Sequence, residues 1–103
     1  MDDHLADVRR YDPTADAEAI ERIVKHLGVA LRNPQSLHIK ALDAKHAARL
    51  REKWCGRKLG CTDRERADLA IEMADLAMGA DNERKRVTFY YLVAKQLGRL
   101  DAL

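Results

Sequence analysis

The chain has 103 residues, of which 47% are hydrophobic and 35% charged, and its formal net charge is +2. These totals describe one domain able to bury its own core; they exclude a disordered chain, and no stretch approaches the ~18 apolar residues that a membrane span requires. A balance this close to neutral does not by itself imply nucleic acid, and the scarcity of helix breakers, two prolines and five glycines, favours long helices.

Leu5, Val8 and Tyr11 predict a short helix over 3–11, which Asp12-Pro13 breaks. Thr14 or Asp16 can cap the second helix, 16–32, and Glu18 suits its positive end. Its stripe of Ile20, Ile23, Val24, Leu27, Ala30 and Leu31 runs past Gly28, so the helix is expected to reach Arg32 before Asn33-Pro34 ends it. In 34–42, Leu37, Ile39 and Ala41 alternate with His38 and Lys40 as a strand would. A lone strand is unstable, so a packed loop or a helical turn is expected.

Asp43 caps a third helix, 43–58, with Ala47, Leu50 and Trp54 inward and Leu59-Gly60 as its exit. Thr62-Asp63-Arg64-Glu65 reads as a capping box with Thr62 at the cap, opening a fourth helix, 62–78, closed by Gly79. Asp81 or Asn82 is expected to cap the fifth, 83–97, which Gly98 ends. Val87, Phe89, Tyr90, Val93, Ala94 and Leu97 cover most of that helix, which places it at the centre of a bundle. The expected fold is therefore all-α, a bundle of five helices in a single domain over 1–103.

Charge is distributed in blocks about one helix long. Residues 1–21 and 63–83 each carry −5, and residues 40–58 and 84–99 each carry +5. Within the third helix Lys45, Arg49, Lys53 and Arg57 recur every four residues, a like-charge ridge costing roughly 1 kcal/mol in all. Glu65, Asp68, Glu72 and Asp75 form an acidic ridge on the next helix, so neutralisation inside the fold or by solvent is the expected outcome. The alternative is a phosphate-bearing partner, with Arg84, Lys85 and Arg86 in the first turn of the last helix as a second contact and Phe89, Tyr90 and Tyr91 behind them. Those rings are expected to belong chiefly to the core, with one near its boundary.

No catalytic, cofactor-binding or metal-ligating set stands out. His38, His46, Cys55 and Cys61 are suitable ligand types at spacings that match no compact zinc pattern. Ser36, the one serine, lacks a nucleophile-elbow context, and no glycine-rich phosphate loop occurs. The opening Met1-Asp2-Asp3 has no apolar run of the secretory kind, so a cytoplasmic protein with reduced thiols is expected, without a membrane association. The fourth helix carries two stripes: Ala67, Ala70, Ile71, Ala74, Ala77 and Met78, and also Leu69, Met73 and Leu76. Both cannot meet one neighbour, so the helix is expected to be sandwiched; otherwise Leu69, Met73 and Leu76 form an association surface.

Two segments, Ile23-Val24-Lys25-His26-Leu27-Gly28-Val29-Ala30-Leu31-Arg32-Asn33 and Arg86-Val87-Thr88-Phe89-Tyr90-Tyr91-Leu92-Val93-Ala94, together with Lys58-Leu59-Gly60, resemble a small bacterial family of helical domains of unknown function, DUF2853. The resemblance spans most of the chain. It implies a cytoplasmic helical domain, and it supplies no activity, ligand or catalytic residue. The function expected from the residues is a non-enzymatic interaction module, binding a protein partner or itself, with weak electrostatic nucleic-acid binding as the alternative.

Overall fold

A computed structural model describes residues 2–33, 37–39, 43–79 and 84–103, and among these the chain is helical throughout its regular structure. The elements are α1 (Asp2–Arg9), α2 (Ala17–Leu27) with a 3-10 turn over Gly28–Arg32, α3 (Ala44–Arg49 continuing through Leu50–Lys58), α4 (Arg64–Met78) and α5 (Arg86–Gln96), with a last 3-10 turn at Leu100–Ala102. The all-α bundle expected from the apolar periods is what the chain forms.

Helix starts follow side-chain oxygens. Asp16 accepts from the Glu18 N–H and Asp43 from the His46 N–H, as their positions suggest. At α4 the cap is Asp63, which accepts from Glu65 and Arg66, and not Thr62; the adjacent carboxylate serves the exposed N–H groups instead of the hydroxyl. The α2 helix ends sooner than its stripe suggests. Gly28 adopts a φ of 44°, which an α-helix cannot continue through, and Val29 beyond it is exposed. The fifth helix also starts later than expected, at Arg86 with Lys85 as its uncapped flank; Asp81 and Asn82 lie outside the described residues.

The second part of α3 has a wider turn than an α-helix. From Leu50 to Lys58 it is a π-helix, closing at its end with a bond from the Leu59 N–H to the Trp54 carbonyl five residues back (2.9 Å). The apolar spacing matches that turn. Leu50, the adjacent Trp54 and Cys55, and Leu59 are all buried at steps of four or five residues, a period longer than 3.6. A wide helix carries all four to one side.

The α5 helix is the centre, packed by α1, α2, α3 and α4. Val87, Thr88, Phe89, Tyr91, Leu92, Val93 and Ala94 are buried, which covers nearly its whole circumference. Of the three consecutive rings, Phe89 and Tyr91 lie in the core and Tyr90 sits at the boundary. In the central stretch that opened ambiguously, the Ile39 N–H donates to the Arg84 carbonyl (2.8 Å), and His38 pairs with Lys85 in an isolated bridge. Residues 34–36 and 40–42, with Lys40 and Ala41, lie outside the described residues.

Two hydroxyls on α5 are buried and each finds a carboxylate. The Thr88 hydroxyl donates to Asp7 of α1, and the Tyr91 hydroxyl to Asp12 (2.6 Å). Asp12 also accepts from the Thr14 hydroxyl (2.8 Å) and pairs with Lys95 (3.2 Å). The Tyr91 hydrogen bond outweighs the opposing effect of burial, and with help from Thr14 and Lys95 it holds the Asp12 carboxyl at about 2. The Tyr91 phenol is pushed up, by burial first and then by Asp12.

A depressed carboxyl stabilises the fold while it is ionised. The Asp12 contribution should be complete above an ordinary carboxyl pKa, near 3.8, and should be lost as the pH falls from there to about 2. Asp12→Asn should lower the unfolding free energy by about 1.5–3 kcal/mol at neutral pH, the range for hydrogen bonds to a charged group, and should remove that part of the acid dependence. Chemical denaturation of both proteins between pH 2 and 7 checks it. Parallel curves would show that Asp12 does not carry the effect.

Candidate functional surfaces

The basic ridge of α3 faces solvent. Lys45, Arg49, Lys53 and Arg57 are all exposed, and among the described residues none of the four is ion-paired. The acidic ridge of α4 is met by other bases. Arg51, on the side of α3 turned toward α4, donates to Asp68 (2.9 Å), and Arg84 donates to Asp75 (2.6 Å). Neutralisation inside the fold therefore occurs, but through Arg51 and Arg84, and the ridge itself is left outward. Of the two expected outcomes, neutralisation inside the fold or by solvent, the α3 ridge takes the second.

The Arg84, Lys85 and Arg86 cluster divides. Arg84 is 5% exposed and lies before α5, not in its first turn. Its guanidinium donates to the carbonyls of Ile39 (3.1 Å) and Gly79 (3.1 Å) as well as to Asp75, and it stands over the Phe89 ring at 5.6 Å. As a second contact for a phosphate-bearing partner Arg84 is therefore corrected: the structure makes it a clasp between the end of α4, Ile39 and α5, out of reach of a surface ligand. Lys85 is half-buried beside His38. Arg86 alone joins the ridge: with Ala30, His46, Arg49, Leu50 and Tyr90 it lines a cleft of about 230 Å³.

The geometry of that cleft comes from packing beneath it. Trp54, fully buried, lies against Tyr90 with ring centroids 4.8 Å apart and donates its indole N–H to the Tyr90 carbonyl (3.1 Å). His26 of α2 also packs on the indole, with ring centroids 5.0 Å apart. Tyr90 is thereby fixed at the boundary, and the Arg86 guanidinium stands over its ring at 6.0 Å. A second hollow of about 200 Å³, lined by Asp43, Lys45, His46 and Arg49, adjoins the cleft and shares His46 and Arg49 with it. His46 and Arg49 are three residues apart on one helix face, a convergence visible in the spacing; Arg86 and Tyr90 arrive from another helix, which no local pattern shows.

The second stripe of α4 is not covered. Leu69 is 58% exposed, Met73 42% and Leu76 68%, whereas Ala67, Ala70, Ile71, Ala74 and Met78 are buried against the centre. Sandwiching was the expected outcome, and the structure instead leaves the outer face open. Leu69, Ala70 and Met73 line a groove of about 200 Å³ with Arg66 and with Gln96 and Leu97 at the end of α5.

Among the described residues no group of three or more histidine, cysteine, aspartate or glutamate side chains is placed to hold a metal. Cys55 and Cys61 are free and buried, and burial pushes the Cys55 thiol up to about 12, which keeps it protonated and unreactive. Among the described residues no helix is long and apolar enough to cross a membrane.

A family model described as a protein of unknown function, DUF2853, matches residues 3–101. No curated protein and no solved structure matches the chain.

The buried clasp and the open ridge should respond differently to the same loss of charge. Arg84→Gln removes the donor shared by the Asp75 carboxylate and the carbonyls of Ile39, Asp75 and Gly79, and should lower the unfolding free energy by about 1–3 kcal/mol. Arg57→Gln on the exposed ridge should change it by less than about 0.5 kcal/mol. Thermal or urea denaturation of the two variants separates these roles, and equal losses would contradict the assignment.

Proposed function

The chain belongs to the DUF2853 family, and we propose that it serves as a non-enzymatic interaction module of the cytoplasm, engaging protein through the outer face of α4. The observation that carries this reading is the exposure of Leu69, Met73 and Leu76 in one row. Their spacing of four and then three residues is that of a helix-packing seam, and Arg66, three residues before Leu69, extends it by a turn. Such a seam receives another helix, from a protein partner or from a second copy of this chain. Buried, protonated Cys55 is consistent with a role other than nucleophilic chemistry.

Burying the exposed parts of three such side chains contributes about 1–2 kcal/mol each, which association entropy largely offsets. Self-association should therefore be weak, in the micromolar to millimolar range. Sedimentation equilibrium over that range should show a reversible dimer. Leu76→Glu should abolish the dimer while leaving thermal stability nearly unchanged, because Leu76 contributes little to the core. A chain that stays monomeric at every concentration overturns the self-associating form.

The outward ridge of α3, next to Arg86, favours a second reading: weak, sequence-tolerant binding of a nucleic-acid backbone through Lys45, Arg49, Lys53 and Arg57. Displacement of counterions would make that binding weaken steeply with salt, and Lys53→Glu should reduce it for all sequences alike. A fluorescence-anisotropy titration with a short DNA duplex at low salt checks it. No change in anisotropy at low salt would remove this reading.

A further inference from the structure

We propose that the cleft between the start of α3 and the first turn of α5 is a binding site for a phosphate monoester, held by Arg49, His46, Arg86 and the Tyr90 hydroxyl. This goes beyond both readings above, since it needs neither a partner helix nor a nucleic-acid strand. Arg49, Arg86 and His46 line one hollow of about 230 Å³ together with Ala30, Leu50 and Tyr90. The volume suits one phosphoryl group with a small substituent. Among the described lining residues there is no acid. Arginine's planar fork matches two phosphate oxygens at once, and its five N–H donors let Arg86 serve the fold and a ligand together.

Three features of the scaffold fit this ligand. Arg86 is the first residue of α5, an 11-residue helix with no acid in its first turn and no side-chain cap, so the positive end of the helix adds to the field in the cleft. The nearby acid, Asp43, lines the adjoining hollow; its carboxylate caps α3 by accepting from the His46 backbone N–H at 2.7 Å, and the same oxygen lies 3.7 Å from His46 Nδ1, so Arg49 and Arg86 carry most of the attraction for an anion. The walls are set by packing: Tyr90 is held against Trp54, and Leu50 is buried where α3 widens into its π-helical turn, a feature frequent at functional sites. A ligand would thus meet charges that are already placed.

The test uses the whole chain and amide-resolved NMR, titrated with inorganic phosphate and with glycerol phosphate at constant ionic strength. The expected result is saturable shifts confined to residues near 30, 46–50 and 86–90, stronger than those from sodium chloride. Arg49→Glu and the milder Arg49→Gln should each weaken binding about tenfold or more, the loss of one charge-assisted pair. Lys53→Glu, on the same ridge but outside the cleft, should change it less than twofold. Shifts that do not saturate, or equal weakening by the Arg49 and Lys53 variants, would overturn the site. A short oligonucleotide forms the comparison arm. If it binds with equal dependence on both positions while phosphate fails to bind, the ridge acts as a whole and the cleft is not a site; if phosphate binds through Arg49 and the oligonucleotide does not bind, the site stands without the nucleic-acid reading.

Discussion

A hydroxyl buried at the centre of a helical core must find an acceptor, and the arrangement of this molecule follows from how Thr88 and Tyr91 find theirs. Both lie on α5, the helix surrounded by all the others. Both accepting carboxylates, Asp7 and Asp12, come from the N-terminal segment. That segment has little apolar surface to hold it in place: Val8 is buried, and Leu5 and Tyr11 only partly. The two polar contacts supply what the apolar contacts lack in direction. They set which face of α1 meets α5 and where the turn at Asp12-Pro13 must lie. An unpaired partner in either pair would cost about 1–3 kcal/mol, so the alternatives in which α1 slides along α5 are disfavoured.

With α5 at the centre, the outer helices have only one apolar neighbour side each. The α4 helix turns its small residues inward, where Ala67, Ala70 and Ala74 let it approach α5 closely. Its larger Leu69, Met73 and Leu76 are then forced outward, because no sixth helix among the described residues stands on that side. The α3 helix solves the same problem by widening. Its π-helical turn brings Leu50, Trp54, Cys55 and Leu59 to the core together, and the residues between them, including Lys53 and Arg57, are left to solvent. The apolar seam and the basic ridge are thus complementary results of one constraint, the occupation of the centre by a single helix.

Local features of this fold were legible and non-local ones were not. The central place of α5 is written in Val87, Phe89, Val93 and Ala94, because an apolar surface that wraps a helix has no other outlet. The caps at Asp16 and Asp43 are equally local. Thr62 and Asp63 offer adjacent oxygens, and which of them caps α4 depends on the angle at which the chain enters. The burial of Arg84 depends on carbonyls of Ile39 and Gly79 and on the carboxylate of Asp75, groups that a helical reading of 83–97 keeps apart. The longer period of Leu50, Trp54, Cys55 and Leu59 is present in the sequence, but a 3.6-residue template passes over it. For the cleft, His46 and Arg49 share a helix face and could be paired on paper, whereas Arg86 and Tyr90 lie some forty residues away and meet them only through the packing of α3 on α5.

The pairing of charges then bears on how the cleft and the fold are linked. Arg51 and Arg84 pair with Asp68 and Asp75, and among the described residues no acid of the α4 ridge pairs with Lys45, Arg49, Lys53 or Arg57. Their mutual repulsion, roughly 1 kcal/mol along the helix, persists in the free protein. It falls on α3 where the i→i+5 hydrogen bonds already depart from the commoner geometry, and the helix is held there by Trp54 and Leu50 beneath. An anion seated between Arg49 and Arg86 would relieve part of that repulsion and tie α3 to α5 from the outside, as Trp54 and Tyr90 tie them from within. Binding to the folded chain alone would stabilise it by mass action, so occupancy of the cleft and stability of the central packing rise together.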